Sequence, residues 1–260
     1  LGCVAVVGSV GLMILTGFAG QVSLGHAAFL ALGAYTVAIL GGRFSWPFWA
    51  ALPVAGTVAA GVGLLVGPFA LRLRGLYLAI VTLGLVFVVN HLLLAFEPWT
   101  GGPSGLAVPM HTGLWSGGEP VPFGGPPRTW LGVRWTLDRK LFAVFAPLAL
   151  GAAWMGSSLG RSNAGRAMMA VRDQDLAAAV LGVDPARSKI LAFGLSSWLA
   201  GVAGGMYALQ QQYLTVSPPF DLSMSVEYVA MIVLGGVGTT FGAVAGALAW
   251  VGLSPLLEDL

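Results

Sequence analysis

The sequence predicts an all-α, polytopic membrane protein: one bundle of about 7–8 transmembrane helices, some of them broken at glycines. Of the 260 residues, 57% are hydrophobic and only 8% are charged, a composition typical of proteins surrounded mainly by lipid. The chain contains 39 glycines, and small residues let transmembrane helices pack closely. Uncharged runs long enough for a membrane crossing recur along the whole sequence. A lipid bilayer is therefore the expected environment.

The uncharged runs locate the individual spans, because a helix needs ~20 apolar residues to cross a hydrocarbon core about 30 Å thick. The first run is long enough for two spans with a break near Gly17 to Gly25. Single spans follow at 44–71, 76–96, 141–159 and 190–209. The last run, 228–257, exceeds one straight crossing. It is either one long tilted helix or two pieces broken at Gly235 to Gly242.

Two segments interrupt the apolar pattern of this single transmembrane domain, which covers 1–260. The segment 97–140 is rich in proline and glycine and carries charges of both signs. The segment 161–189 has five basic residues, and a turn with Arg72 and Arg74 falls on the same side of the predicted membrane. Basic residues in short loops are retained in the cytoplasm. We therefore expect 161–189 to be cytoplasmic and 97–140 to be an external loop.

Several function classes are disfavoured by composition and motifs. The net charge of +2 gives no basic surface for a nucleic acid, so no such partner is expected. His26, His91 and His111 lie far apart and Cys3 is the only cysteine, so no metal site is predicted. The sequence has no GxxxxGK[ST] phosphate loop, no GxSxG elbow and no paired carboxylates typical of an enzyme. We expect no catalytic residues and no cofactor bound by this chain.

Two glycine-broken segments are candidates for a translocation pathway. TGFAGQVSLGHAAFLALGAY places three polar side chains among glycines in the longest uncharged run, and LGGVGTTFGAVAGAL repeats the pattern late in the chain. Polar groups at membrane depth usually face the bundle or a wet cavity, and broken helices free backbone groups that can bind a solute. The alternative is that these side chains only join neighbouring helices. The predicted pathway residues are Gly20, Gln21, Ser23, Gly25, His26, Gly235, Gly238 and Thr239.

The segment 161–189 reads as short helices outside the membrane. Asp173 is expected to cap a helix that Gly182 ends, and Asp184 followed by Pro185 is expected to cap the helix that runs into the next span. On the short helix, an apolar stripe is formed by Leu176, Ala177, Val180 and Leu181. Such a stripe binds a partner protein, or it lies on lipid or on the bundle itself; both interpretations are open. Glu227, at the start of the last apolar run, is expected at the membrane interface.

Five pieces in order carry a resemblance to a known family. They are GFAGQVSLGHAAFLALGAYT from Gly17, RLRGLYLAIVTLG from Arg72, TGGPSGL from Thr100, RAMMAVRDQDLAAAVLGVDPARSKILAF from Arg166 and MIVLGGVGTTFGAVAGA from Met231. Together they span nearly the whole chain, which resembles the membrane permease subunit of the branched-chain amino acid ABC importers.

The resemblance implies a multi-pass protein of the bacterial inner membrane that works in a complex. Its implied partners are a second related permease subunit, two cytoplasmic ATPase subunits that bind the ATP, and an extracytoplasmic solute-binding protein that delivers the amino acid. The implied ATPase-coupling residues are Arg172, Asp173, Asp175, Ala177, Ala178 and Gly182. Ala177, Ala178 and Gly182 match the A-A-x-x-x-G core of the importer docking motif, although Leu176 stands where many importers have Glu. Family members usually have a further helix before Leu1 and another after Leu260, so the chain is expected to be truncated at both ends.

The substrate implied by the resemblance is a branched-chain amino acid, and the scarcity of intramembrane charge fits a solute without net charge. The same machine could instead carry urea or short amides, since the delivering protein commonly sets specificity. A transporter or channel that works without ATPases is the alternative from another class. It would not need an apolar cytoplasmic helix.

Overall fold

The computed structural model describes residues 1–73, 75–116, 119–123, 128–130 and 133–258. Helices dominate it, as the apolar runs predict. They are α1 (Gly2–Met13), α2 (His26–Phe44), α3 (Phe48–Arg72), α4 (Leu76–Ala95), α5 (Glu97–Thr100), α6 (Leu137–Arg161), α7 (Asn163–Asp173), α8 (Asp175–Val180), α9 (Pro185–Gln211), α10 (Leu222–Gly235) and α11 (Thr240–Glu258). The all-α class is confirmed.

Five of the described helices, α2, α3, α4, α6 and α9, are long and apolar enough to cross a membrane. The pair α10 and α11 makes a sixth if it is counted as one span, and the shorter apolar segment Gly2–Phe18 adds a further helix. Each predicted span thus corresponds to a helix or a helix pair. The polytopic architecture is confirmed, and the predicted number of 7–8 spans is approximate.

The centre of the bundle is formed by α1, α2 and α9. Ten of the twelve residues of α1 are buried, from Val4 to Met13. Helices α2 and α9 approach each other closely because a Cβ at Gly33 or Gly204 would collide with the backbone of the opposite helix. Small residues at helix contacts hold membrane bundles together through close packing, and this explains much of the glycine content.

The described part of the segment 97–140 and the segment 161–189 lie at opposite ends of the bundle. Helix α6 begins where the first segment ends and finishes at Arg161, where the second begins; its 25 residues correspond to about 37 Å of helix. Helix α9 runs back and finishes at Gln211, beside the first segment. Arg74 of the predicted basic turn lies outside the described residues.

Short antiparallel strand pairs occupy much of the described part of 97–140. The strands are β1 (Leu106–Ala107), β2 (His111–Ser116), β3 (Glu119–Pro122), β4 (Arg128–Trp130), β5 (Val133–Trp135) and β6 (Tyr213–Leu214). The pairs are β1 with β6, β2 with β3, and β4 with β5. Pairing of β1 with β6, with Leu106 opposite Leu214, joins this segment to the chain that leaves α9.

The last apolar run is two helices rather than one tilted helix. Helices α10 and α11 are bent by 119° at a break of four residues. Helix α11 turns back along the bundle, so that Leu248 packs near Gly2. The break has Gly236 and Gly238 at φ values of 107° and 101°, which side-chain-bearing residues rarely adopt. Of the two alternatives for 228–257, the structure supports the broken one.

Candidate functional site

The first glycine-broken segment is a buried interruption between α1 and α2. Helix α1 continues into a π-helical turn at Ile14–Phe18, and residues 19–25 are not helical before α2 begins at His26. The side chains of Gln21, Ser23 and His26 are all at least 95% buried. The three polar residues predicted for the pathway therefore lie inside the bundle rather than facing lipid.

Hydroxyl groups from distant helices hold the start of α2. The Leu24 amide donates to Thr82 Oγ1 of α4 at 3.0 Å, and the Ala27 amide donates to Ser225 Oγ of α10 at 3.0 Å. Within the segment, the Gly25 amide donates to Ser23 Oγ at 3.2 Å. These bonds satisfy backbone donors that the helix start leaves free. The break is thus fixed by groups from three parts of the chain.

Two polar side chains of this segment have unsatisfied atoms. Neither amide atom of Gln21 has a hydrogen-bond partner within the described chain, and neither does Nε2 of His26. The His26 ring packs on the Tyr228 ring of α10, with centroids 4.9 Å apart. Buried polar groups without partners cost roughly 1–3 kcal/mol each. Such groups need an explanation, and a bound water or solute would supply the missing partner.

The second glycine-broken segment, 236–239, touches the first one. A Cβ on Gly17 would lie 2.8 Å from both the Cα and the amide nitrogen of Gly238, so the two backbones are in direct contact. Thr239 Oγ1 accepts from the Gly242 amide at 3.1 Å and thereby caps α11. The tight turn also brings Gly235 against Gly242, backbone to backbone. The structure joins the two pathway candidates that the sequence pattern paired.

Arg172, at the end of α7, contacts both breaks. Its Nη1 donates to the Gly17 carbonyl oxygen at 2.7 Å. Its side-chain methylenes cover Gly20, where a Cβ would lie 2.5 Å from Arg172 Cγ, and a Cβ on Gly238 would lie 3.6 Å from Nη1. The positive φ of 66° at Gly20 and the lack of a side chain there make room for the arginine. A residue predicted for ATPase coupling therefore also lies at the junction of the two breaks.

A cleft of about 490 Å³ separates the first break from α7 and α8. Predicted pathway residues line one wall and predicted coupling residues line the other. They include Gly20, Gln21, Arg172, Asp173 and Asp175. The structure thus brings parts of both predicted sets together. His26 lies deeper, against Tyr228. Ala177 of α8 and Gly182, just after α8, are exposed on the outer surface.

Helix α8 exposes an apolar stripe and is anchored by polar contacts. Leu176, Val180 and Leu181 are 80%, 88% and 84% exposed, Ala177 is exposed too, and Ala178 is buried. Asp175 pairs with Lys189 of α9, Oδ2 to Nζ, at 2.7 Å. Lys189 is 9% exposed, so this pair is shielded and fixes α8 on the central helix.

The helix ends of this segment were only partly predicted correctly. Gly182, at φ 87°, ends α8 with bonds from the Gly182 and Val183 amides to the carbonyls of Ala179 and Ala178, a Schellman arrangement. Asp184 caps α9 as expected, accepting from the amides of Ala186 and Arg187. The predicted cap at Asp173 is wrong. Asp173 ends α7, and its carboxylate binds Arg172 at 2.9 Å instead.

Comparison with known proteins identifies the family. Residues 1–258 match the family described as the permease component of the branched-chain amino acid transport system. The chain belongs to this family. This confirms the resemblance carried by the five sequence pieces.

Several curated relatives are transport permeases. The chain is 38% identical over 257 residues to the high-affinity branched-chain amino acid transport system permease protein LivM of Salmonella typhimurium, covering 96% of this chain and 60% of that relative. For LivM of Escherichia coli K12 the identity is 38% over 258 residues, with the same coverage. The autoinducer 2 import system permease protein LsrC of Enterobacter sp. is 33% identical over 203 residues, covering 75% of this chain and 53% of LsrC. The chain thus spans 60% of the length of the LivM proteins, and no solved structure matches it.

Three contacts around the candidate site were missed by sequence reasoning. Thr82 and Ser225 cap the start of α2 from 58 and 198 residues away along the chain, and no local pattern marks them. The sequence analysis used Lys189 only as one of five basic residues. In the structure it binds Asp175, 14 positions earlier, across the turn between α8 and α9. A search for acid and base pairs across that turn could have found this pair.

Proposed function

We propose that the chain is the membrane permease subunit of an ABC importer that moves branched-chain amino acids into the cell. It works in the bacterial inner membrane with a second related permease subunit, two cytoplasmic ATPase subunits and an extracytoplasmic solute-binding protein. The ATPases bind the ATP, and the permease carries the solute. Membership of the family and the similarity to the LivM proteins support this assignment.

The observation that carries the proposal is the position of α8. It presents an exposed apolar surface on one side and lies next to the glycine breaks on the other. Its stripe of Leu176, Ala177, Val180 and Leu181 is available to a partner protein, as exposed apolar surface outside lipid requires. One turn earlier, Arg172 binds the Gly17 carbonyl. A partner that displaces α8 therefore acts on the junction of the breaks through a single side chain.

The mechanism that follows is alternating access driven at this junction. ATPase closure moves α8, Arg172 moves with it, and the contact between Gly17 and Gly238 opens or closes. Such coupling requires that the partner binds the two states differently. The buried, unpartnered amide of Gln21 favours a second state, because water or substrate would satisfy it once the segment opens.

The pathway is proposed to run along both breaks. Its polar contributors are the side chains of Gln21, Ser23, His26 and Thr239 and the backbone groups freed at Gly20, Gly25, Gly235 and Gly238. These groups offer donors and acceptors without a full buried charge. They suit a zwitterionic solute, whose two opposite charges can be met by dipoles.

The test is ATP-dependent uptake by proteoliposomes that contain the full-length permease with its partner permease, ATPases and binding protein. Labelled leucine uptake that requires ATP supports the proposal. ATP-dependent urea uptake under the same conditions would support an ABC importer but show that its substrate is urea rather than a branched-chain amino acid. Uptake of either solute without ATPases would overturn the proposal in favour of a secondary transporter or channel.

Two matched pairs of variants test the coupling segment. Ala177→Asp puts a charge on the apolar stripe and should abolish ATPase binding, measured by co-purification, whereas Ala170→Asp adds the same group to an exposed position of α7 and should bind normally.

Arg172→Ala should leave ATPase binding intact and lower leucine uptake about tenfold or more, because a charge-assisted bond to the break is lost. Arg187→Ala, at a side chain that is 90% exposed, is its control. Equal uptake by both arginine variants would exclude Arg172 as the link.

A further inference from the structure

A second cleft opens at the opposite end of the bundle, the end that carries the segment 97–140. It has a volume of about 550 Å³ and lies between α1, the end of α9, α10 and α11. Its polar lining groups are Tyr207, Gln211, Ser223, Glu227 and Tyr228. Its apolar lining includes Val4, Met224, Met231 and Trp250. The floor reaches Tyr228, whose ring packs on His26 of the first glycine break.

Glu227 is the charged side chain that lines this cleft. It lies in the second turn of α10, whose other residues are uncharged. Helix α10 is already capped by Asp221, which accepts from the Met224 amide. Within the described residues the Glu227 carboxylate forms no ion pair with a lysine or arginine. The Glu227 side chain is exposed and lines the cleft, so a solute that enters the cleft can reach its carboxylate.

We propose that this cleft is the entry site for the transported amino acid and that Glu227 receives its α-ammonium group. The inference rests on the proposed function and assigns a chemical class to one end of the pathway. A carboxylate accepts from an ammonium group with a charge-assisted bond, roughly twice as strong as a neutral one. Urea and amides carry no ammonium group, so this site selects against the alternative cargo.

The rest of the lining meets the other parts of such a substrate. Tyr207 Oη accepts from Gln211 Nε2 at 2.9 Å, which leaves the phenolic proton free to donate to the substrate carboxylate. Met224, Met231 and Trp250 offer an apolar wall for a branched side chain, and methionine adapts to such shapes. The cleft thus combines polar and apolar lining groups, which suit the charged and the apolar parts of a hydrophobic amino acid.

The first experiment compares Glu227→Gln with Glu97→Gln in the reconstituted full-length transporter. Glu227→Gln keeps the shape and removes the charge, and it should lower ATP-dependent leucine uptake about tenfold or more. Glu97→Gln changes an exposed carboxylate in α5, away from the cleft, and should leave uptake unchanged. Assembly and basal ATPase activity should be normal in both. Wild-type uptake by Glu227→Gln overturns the inference.

A second experiment measures occupancy of the cleft without transport. Cys3 is the only cysteine of the 260 residues; with Cys3→Ser, and with any cysteine elsewhere in the full-length complex replaced, Met224→Cys places one reporter thiol in the cleft. In the assembled transporter, leucine should slow labelling of this thiol by a membrane-impermeant maleimide, and 4-methylpentanoate, which lacks the ammonium group, should not. Adding Glu227→Gln should remove the protection.

The outcomes separate the two proposals. Absence of ATP-dependent leucine uptake by the wild-type complex would count against the proposed function. Normal wild-type uptake with no leucine protection, or equal protection by 4-methylpentanoate, would overturn the entry site alone. A thiol that stays unlabelled without leucine would show that protein covers the cleft, and this too would overturn it.

Discussion

The two glycine breaks resemble each other in sequence but are held in different ways. The first is buried, and hydroxyl groups of Thr82 and Ser225 from other helices fix its course. The second is a four-residue turn, largely exposed, whose course follows from the positive φ values of Gly236 and Gly238. The course of the first break therefore depends on the positions of neighbouring helices, whereas the course of the second is set by its own backbone. Movement of a neighbouring helix should therefore reach the first break and leave the internal shape of the second unchanged.

The largest expected effect comes from a methyl group where the breaks touch. Gly17→Ala would place a Cβ 2.8 Å from two backbone atoms of Gly238, and backbone cannot yield as a side chain can. We expect a loss of about 3 kcal/mol of stability, seen as a lower melting temperature and less monodisperse full-length protein. Gly61→Ala, where a Cβ meets nothing within 4 Å, is the control. Equal melting temperatures for both variants would show that the breaks are not in contact.

A smaller and local effect is expected at the second break. Gly236→Ala meets no atoms within 4 Å but must hold φ near 107°, a region that costs about 1–3 kcal/mol for residues with a Cβ. The melting temperature should fall less than for Gly17→Ala, and Arg172-dependent uptake should persist. If Gly236→Ala lost as much stability as Gly17→Ala, the second break would depend on the surrounding bundle and not only on its own backbone.

The smallest expected effect is at Thr239, in a comparison of two equivalent hydroxyl groups. Ser23 and Thr239 each accept from a glycine amide, but Ser23 is 1% exposed and Thr239 is exposed. Ser23→Ala leaves a buried amide without a partner, at about 1–3 kcal/mol, whereas water can replace the hydroxyl in Thr239→Ala, at about 0.5–1 kcal/mol. Thermal unfolding of both variants measures the difference. A reversed order would mean that the first break is hydrated.

The sequence predicted the spans and both breaks because each depends on local composition. Uncharged runs of the required length become helices, and glycines at Gly235 to Gly242 leave a helix free to turn. The end of α8 at Gly182 was predictable for the same reason, since the signal lies within a few residues. These features need no knowledge of the rest of the chain.

The contacts between segments could not be predicted in the same way. Arg172 was assigned to coupling because the family resemblance implies that role for the segment from Arg172 to Gly182. Its contact with Gly17, 155 residues away, depends on how α7 packs against the bundle. The cap predicted at Asp173 failed because one side chain had two possible partners, the next helix start and the adjacent arginine. Only the tertiary arrangement decides between such partners.

The shielded pair of Asp175 and Lys189 determines how α8 can move. Because Lys189 belongs to the central helix α9, sliding α8 along the surface of the protein would separate two opposite charges in a poorly solvated place, which is costly. Turning α8 about Asp175 would keep this pair, while Leu181 on one side and the neighbouring Arg172 of α7 on the other would change position. The ion pair thus acts as a pivot, with the exposed apolar stripe on one side and the arginine at the glycine breaks on the other.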